Sequence, residues 1–193
     1  MKRLILFDID GTLLNTNGAA RRAFERAMRE VYDETGPIAT HRFDGKTDPQ
    51  IARELLTLAG FSDARIDAGL APLWPAYLAE PEIDLAQPGH VTNLYPGVTE
   101  LLAALEARPA DVSIGLLTGN IDRGARHKLA AARIHHYFPF GAFGSDCERR
   151  DGLPAIAVQR AFDRTGREFR GRDVVIIGDT PSHVSCGRSL APS

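Results

Sequence analysis

The amino-acid sequence predicts an α/β protein with a Rossmann-like parallel sheet and an inserted α-helical cap domain. Short apolar runs rich in Val, Ile and Leu alternate with stretches of helical spacing, a pattern that favours a parallel sheet covered by helices. The interval between the first two predicted strands is too long for a simple crossover, so it must contain a folded unit. With 193 residues, 44% of them hydrophobic, the chain can bury one good core.

Four strands are predicted, each an apolar run that ends in a polar or glycine turn. They cover Arg3 to Phe7, Val112 to Leu117, Phe140 to Phe143, and Val174 to Ile177. Helices are predicted between strands where apolar residues recur at helical spacing, over Val98 to Leu105, Arg126 to Ala132, and Leu153 to Phe162. We therefore expect a discontinuous core domain formed by residues 1–15 and 92–193.

The insert, residues 16–91, is expected to form the helical cap. Amphipathic spacing predicts one helix from Ala20 to Val31 and another from Ile51 to Leu58. The dipeptide Pro88-Gly89 is the expected turn at which the chain returns to the sheet.

Three predicted strand ends carry polar residues of complementary chemistry. Asp8 and Asp10 follow the first strand, Thr118-Gly119-Asn120 follows the second, and Gly178-Asp179-Thr180 follows the fourth. Ligands of open parallel sheets bind beyond the carboxyl ends of the strands. These residues are therefore the candidate functional site.

The two acids after the first strand suit hydrolysis at phosphorus. The Asp8 carboxylate can attack phosphorus and form an acyl phosphate, which divides the reaction into two easier steps. Asp10, across the turn that Gly11 permits, could protonate the leaving oxygen and later deprotonate the attacking water. The segment Thr118-Gly119-Asn120 could hold the phosphoryl oxygens through the threonine hydroxyl and backbone N–H groups.

Mg²⁺ is the expected cofactor, because an anionic nucleophile must approach an anionic phosphate. This cation prefers oxygen ligands in octahedral geometry and keeps several waters. We expect Asp8, the backbone carbonyl of Asp10, and Asp179 to supply its protein ligands.

The segments Asp8-Ile9-Asp10-Gly11-Thr12-Leu13, Thr118-Gly119-Asn120 and Gly178-Asp179-Thr180-Pro181 resemble motifs I, II and IV of the haloacid dehalogenase superfamily in order and spacing. The long insert resembles its C1-type helical cap, and the chain is most similar to the phosphoglycolate phosphatase-like branch. The resemblance implies a Rossmann-like core, Mg²⁺, a phosphoaspartate intermediate, and a cap that closes over the site and selects the substrate.

One departure from the family pattern concerns the cation of motif III. Leu153 stands where that motif has a lysine, so another basic residue must contact the phosphate. Arg150 is the first candidate, because a guanidinium can bind phosphate oxygens bidentately. Lys128 is the alternative, although it lies well into the helix after Thr118 and could equally be a solvated surface lysine.

A second departure is His183, which stands where motif IV has its second acid. We expect weaker Mg²⁺ binding there, with an imidazole ligand for a softer metal as the alternative. The chain also ends soon after this motif, where relatives continue with another strand and helix. We expect that strand and helix to be missing, which leaves Val174 to Ile177 as an apolar edge unless a partner covers it.

Charge indicates no polymeric partner. The 23 basic and 25 acidic residues are spread along the chain without a long run of one sign, so neither nucleic acid nor an anionic membrane is an expected partner. The first apolar run stops at Asp8, too early for a signal peptide or a membrane span. We therefore expect a cytoplasmic monomer or weak homodimer that acts on a small phosphorylated metabolite.

A Mg²⁺-dependent phosphatase is the leading interpretation among several. A 2-haloacid dehalogenase also uses an aspartate nucleophile, but its family lacks the second acid that Asp10 provides here. A phosphomutase is compatible with the same motifs. A truncated, non-catalytic member that binds phosphate or a protein is the alternative from another class, and it is motivated by Leu153 and His183.

Overall fold

The computed structural model describes residues 2–86 and 92–188 of the chain. The elements are β1 (Arg3–Phe7), β2 (Leu14–Asn15), α1 (Ala19–Tyr32), α2 (Asp48–Leu58), α3 (Asp63–Ala86), β3 (Asn93–Leu94), α4 (Val98–Glu106), β4 (Val112–Leu117), α5 (Asp122–Ala131), β5 (Gly141–Ala142), α6 (Leu153–Thr165), β6 (Val174–Ile177) and α7 (Pro181–Gly187). None of the described helices has both the length and the apolar character needed to cross a membrane.

Four strands form a parallel sheet in the order β5-β4-β1-β6, which confirms the predicted fold class. Strand β1 lies between two neighbours in matched register, with Phe7 opposite Leu116 on one side and Ile177 on the other. The prediction for Phe140 to Phe143 was too long, because this edge strand pairs with β4 only through Gly141 and Ala142.

Alternating side chains of the sheet pack into two separate clusters. Phe7 and Leu116 contribute to a cluster with residues of α4 and α5, whereas Leu4 and Leu6 contribute to a cluster with residues of α6 and α7. Because successive side chains of a strand point to opposite faces, helices cover both faces of this sheet. The carboxyl edge is left open.

Helices α1, α2 and α3 lie between β1 and β4 in the chain and pack around a hydrophobic cluster of their own. Phe24 and Tyr77 meet edge to face within it, with ring centroids 5.2 Å apart. The short antiparallel pair of β2 and β3 joins the points where the chain leaves the sheet region and returns to it. Pro88-Gly89 lies outside the described residues, and the division at residues 16 and 91 stays a prediction.

Candidate active site

The predicted strand ends converge at the carboxyl edge of the sheet. Asp8 follows β1, Thr118 follows β4 and Asp179 follows β6 by two residues. A cavity of about 280 Å³ opens above them and is lined by both the sheet edge and the helical insert. Its lining from the sheet side includes Asp8, Asp10, Gly119, Asn120, Lys128, Arg150 and Asp179.

Asp8 is buried, and both of its carboxylate oxygens face a nitrogen donor. Oδ2 lies 2.8 Å from Nε2 of His183, and Oδ1 lies 3.6 Å from Nη2 of Arg150. Burial raises the pKa of Asp8, but the hydrogen bond from His183 and the positive charge of Arg150 outweigh it and hold the pKa below its ordinary value. The carboxylate is therefore ionised, as an attacking group must be.

The His183 ring is oriented by Thr180 at the start of α7. The backbone N–H of Thr180 donates to Nδ1 of His183 over 3.0 Å, and the Thr180 hydroxyl oxygen lies 2.9 Å from the same nitrogen. A backbone N–H can only donate, so Nδ1 must be the unprotonated nitrogen. The ring hydrogen is then on Nε2, which donates to Asp8.

Asp10 belongs to a second polar network. Its two carboxylate oxygens lie 2.9 and 2.7 Å from Nζ of Lys128, and Nδ2 of Asn120 donates to it over 2.8 Å. The ammonium also donates to Oδ1 of Asn120 over 2.6 Å. Lys128 is only 5% exposed, so the alternative of a solvated surface lysine is wrong.

Thr118 holds the side chain of Asn120 in place by a hydrogen bond. Its fully buried hydroxyl oxygen accepts a hydrogen bond from Nδ2 of Asn120 over 2.7 Å. Among the described residues, the cavity lining includes Gly119 and Asn120 but not Thr118. A direct contact from Thr118 to a phosphate stays a prediction.

Arg150 lines the cavity with a nearly buried guanidinium. The residue is 7% exposed, and its Nη2 lies 3.6 Å from Oδ1 of Asp8 and donates to the carbonyl of Leu117 over 3.4 Å. The guanidinium therefore keeps a positive charge beside the Asp8 carboxylate. Leu153, the first residue of α6, is fully buried in a hydrophobic cluster. Its role is therefore packing and not contact with a ligand.

Two glycines allow close approaches that a side chain would block. Gly11 has a left-handed φ of 78°, and a Cβ there would overlap the carboxylate of Asp179. A Cβ at Gly119 would overlap the backbone carbonyl of Lys46, which belongs to the helical insert. The first glycine brings the ends of β1 and β6 together, and the second lets the insert rest on the sheet edge.

The insert supplies a wall that the sequence pattern did not predict. Phe24, Phe43, Ile51 and Tyr77 line the cavity with apolar surface, next to the guanidinium of Arg21. The Arg21 guanidinium is fixed by two backbone carbonyls and by the Phe43 ring, whose centroid is 4.0 Å away. The helical spacing of Phe24 and Ile51 is typical of core packing, and only the packing of the insert on the sheet reveals that these side chains line the cavity.

Asp48, at the start of α2, was also missed. Its Oδ2 accepts the backbone N–H of Ile121 over 2.9 Å, and its own N–H donates to the carbonyl of Gly119 over 2.8 Å. Burial raises the pKa of Asp48 to about 6, against the opposing influence of Lys128. The signal available in the sequence was Thr47-Asp48-Pro49, which is typical of a helix start.

The acids at the sheet edge are placed to hold a cation. Asp8, Asp179 and His183 offer ligand atoms that all lie within 4.8 Å of one another. The two carboxylates are hard oxygen donors of the kind that Mg²⁺ prefers. The donor set therefore fits a divalent cation through Asp8 and Asp179.

Fold and site together define an α/β protein with a buried aspartate at the carboxyl edge of a parallel sheet and an inserted helical cover. The family model described as haloacid dehalogenase-like hydrolase matches residues 5–191. The chain belongs to this family.

Individual relatives align with nearly the whole of this chain. The chain is 24% identical over 193 residues to a phosphoglycolate phosphatase of Nitrosospira multiformis, covering 97% of this chain and 79% of that protein. A solved structure described as a predicted phosphoglycolate phosphatase from Haemophilus somnus aligns with a TM-score of 0.63 and 18% identity, over 98% of this chain and 82% of the other. A β-phosphoglucomutase of Clostridium difficile aligns with a TM-score of 0.71 and 15% identity, over 98% and 82% of the two chains.

Proposed function

We propose that this protein is a Mg²⁺-dependent phosphatase that hydrolyses a small phosphorylated metabolite through an aspartyl phosphate on Asp8. The observation that carries the proposal is the environment of Asp8, a buried and ionised carboxylate that lines the cavity beside the guanidinium of Arg150. A carboxylate kept ionised next to an anion-binding group suits nucleophilic attack on a phosphate ester.

In the first half-reaction, an oxygen of Asp8 donates an electron pair to phosphorus and the bond from phosphorus to the ester oxygen breaks. Asp10 supplies the proton that converts the leaving oxygen into an alcohol. In the second half-reaction, Asp10 takes a proton from water, whose oxygen attacks phosphorus. Inorganic phosphate leaves and the Asp8 carboxylate is regenerated.

Lys128 keeps Asp10 in place between these proton transfers. Its hydrogen bonds to both Asp10 oxygens hold this carboxyl group in one orientation for both transfers.

Arg150 is the cation that replaces the lysine of motif III in this proposal. Its place in the cavity lining and its position 3.6 Å from Asp8 support a direct contact with the phosphoryl oxygens. Lys128, by contrast, already uses its ammonium on Asp10 and Asn120. The segment Gly119-Asn120 lines the opposite side of the cavity and would contact the remaining oxygens.

Asp8, Asp179 and the backbone carbonyl of Asp10 would hold the Mg²⁺. When bound, the cation neutralises part of the repulsion between the Asp8 carboxylate and the phosphate.

The substrate is a small ester. A cavity of about 280 Å³ accommodates a phosphoryl group and a short leaving group. The similarity to phosphoglycolate phosphatases makes phosphoglycolate the first candidate among phosphorylated metabolites. The apolar wall of the insert and the nearby Arg21 would contact the leaving group and provide selectivity.

The test measures inorganic phosphate released from p-nitrophenyl phosphate and from phosphoglycolate, with Mg²⁺ and with chelator. We expect release that requires the cation and that is lost in Asp8→Asn, together with an acid-stable phosphorylated protein trapped during turnover. Activity that persists in Asp8→Asn would refute the mechanism. Transfer of the phosphoryl group to a second sugar hydroxyl without phosphate release would identify a mutase instead.

A further inference from the structure

We propose that His183 is a positioning residue for Asp8, a hydrogen-bond donor to the nucleophile rather than a ligand of the cation. The proposal rests on the function proposed above, since it assigns a role within that reaction. It concerns the position at which this chain has an imidazole in place of an acid. The contacts of the ring with Thr180, Gly178 and Asp8 carry it.

The first contact fixes the ring. Nδ1 of His183 accepts a hydrogen bond from the backbone N–H of Thr180 over 3.0 Å, so the lone pair of this nitrogen is occupied at the start of α7. The hydrogen of the ring is therefore on Nε2, which lies 2.8 Å from Oδ2 of Asp8. A nitrogen that carries a hydrogen has no lone pair for a metal ion.

Close packing holds the ring in this orientation. His183 is 3% exposed, and a Cβ at Gly178 would overlap the imidazole. The ring therefore packs directly against the backbone of Gly178, just after the end of β6. It cannot turn its Nδ1 toward Asp179, whose Oδ1 is 3.8 Å away, without losing the Thr180 hydrogen bond.

The arrangement distinguishes the two oxygens of Asp8. Oδ2 is engaged by His183, while Oδ1 faces Arg150, the group that we expect to bind the phosphate. Oδ1 is therefore the oxygen that attacks phosphorus. A nucleophile held by a short hydrogen bond from a buried ring stays oriented in the absence of a cation.

The arrangement also weakens the cation site. Replacing an acid by an N–H donor removes one negative charge and one oxygen ligand beside Asp8 and Asp179. Because affinity for hard cations follows the number and charge of oxygen ligands, Mg²⁺ should bind weakly to this chain. Restoring an acid at this position should strengthen binding.

Nitrogen NMR on the full chain tests the tautomer directly. With ¹⁵N-labelled histidine, long-range correlations distinguish the protonated from the unprotonated ring nitrogen, and His183→Gln identifies the signal among the six histidines. We expect a hydrogen on Nε2 without cation and after saturation with Mg²⁺ or Zn²⁺. Loss of that hydrogen on adding either ion would make His183 a ligand and overturn the proposal.

Calorimetric titration with Mg²⁺ provides the second readout. We expect His183→Asp to bind Mg²⁺ roughly tenfold more tightly than the natural chain. The control His136→Gln changes an exposed histidine outside the site and should leave the affinity unchanged. Equal affinity in His183→Asp and the natural chain contradicts the proposal, and the NMR result decides it if this variant does not fold.

Kinetics separate positioning from mere packing. Gln can offer an amide N–H near Asp8 whereas Ala cannot, so we expect kcat to fall about 100-fold in His183→Ala and to recover substantially in His183→Gln, with little change in KM. An equal loss in both variants contradicts the proposal. If no chain hydrolyses any phosphate ester, the proposed function fails, while the NMR and calorimetric results still decide whether His183 is a donor or a ligand.

Discussion

Lys128 illustrates how much one buried side chain determines at this site. It lies on α5, and its ammonium contacts both oxygens of Asp10 and the amide oxygen of Asn120. The three N–H groups of the ammonium donate to three oxygens, two of Asp10 and one of Asn120, so its hydrogen bonds are satisfied without water. The network therefore fixes Asp10 and Asn120 together.

Replacing Lys128 with Met should disable the proton transfers of Asp10. Methionine fills a similar volume but leaves the Asp10 carboxylate without its cation, so we expect kcat to fall roughly 100-fold. Steady-state hydrolysis of p-nitrophenyl phosphate measures the loss. The control Arg126→Met removes an exposed basic residue from the same helix, and a comparable loss there would contradict the assignment.

Asp48 should make stability depend on pH. Its pKa rises from an ordinary 3.8 to about 6 because it is buried, so the folded chain binds its proton more tightly than the unfolded chain. This contribution is therefore complete below about pH 4 and is lost as the pH rises through 6, by about 3 kcal/mol.

The variant Asp48→Asn provides the measurement. Its amide oxygen can still accept the N–H of Ile121, but it carries no charge to desolvate. Urea unfolding at pH 7.5 should show Asp48→Asn more stable than the natural chain by roughly 1 to 2 kcal/mol, with the difference shrinking toward pH 4. A variant that is less stable at pH 7.5 would show that the Lys128 attraction dominates instead.

At the scale of elements, α2 is tied to both α3 and the loop after β5 by one arginine. Arg53 donates to Glu148 over 2.7 Å and to Asp67 over 2.7 Å, with Asp63 a further 3.3 Å contact. An arginine shared among several carboxylates contributes more than an isolated surface pair. This cluster links the helical insert to the sheet unit.

Arg53→Ala should therefore loosen the insert. We expect a loss of about 1 kcal/mol in the free energy of unfolding, measured in urea, and a higher KM because the cavity wall is less firmly held. Arg149→Ala is the matched control, since within the described part of the chain Arg149 pairs with nearby Asp151 and both are exposed. Equal losses in the two variants would assign the effect to general surface charge.

The elements differ in how well the sequence predicts them. Strands β1, β4 and β6 were predicted with their observed bounds, because each is a continuous apolar run between polar turns. Helix α3 was not predicted, since Pro72, Pro75 and Pro81 lie within it and its apolar residues lack a helical period. Packing of Leu73 and Tyr77 into the insert favours the helix despite these prolines.

The candidate site was most predictable where it depends on strand ends. Asp8, Asp10 and Asp179 follow buried strands of one parallel sheet, and topology alone brings such residues together. The hydrogen bond between His183 and Asp8 joins residues 175 positions apart, and the contact of Asp48 depends on how the insert packs. Neither is encoded in a local pattern.

At the scale of the whole molecule, the position of β1 in the sheet determines both where the cavity lies and which strand, β6, is left at the side edge of the sheet. As a central strand, β1 carries Asp8 into the middle of the carboxyl edge, where the insert can cover it. The same order leaves β6 paired with β1 on one side, and no strand among the described residues pairs with its other side. All four residues of β6 are partly exposed.

This edge should make the protein self-associate weakly as its concentration rises. Val174–Ile177 presents unpaired backbone groups and β-branched side chains, which favour pairing with a second strand. Val175 belongs to neither sheet cluster, so Val175→Lys should place a charge on the edge at little cost to the core. We expect sedimentation velocity to show several-fold weaker association for this variant. The control Val184→Lys adds the same charge to an exposed position on α7, and equal behaviour of the two variants would exclude the strand edge as the site of association.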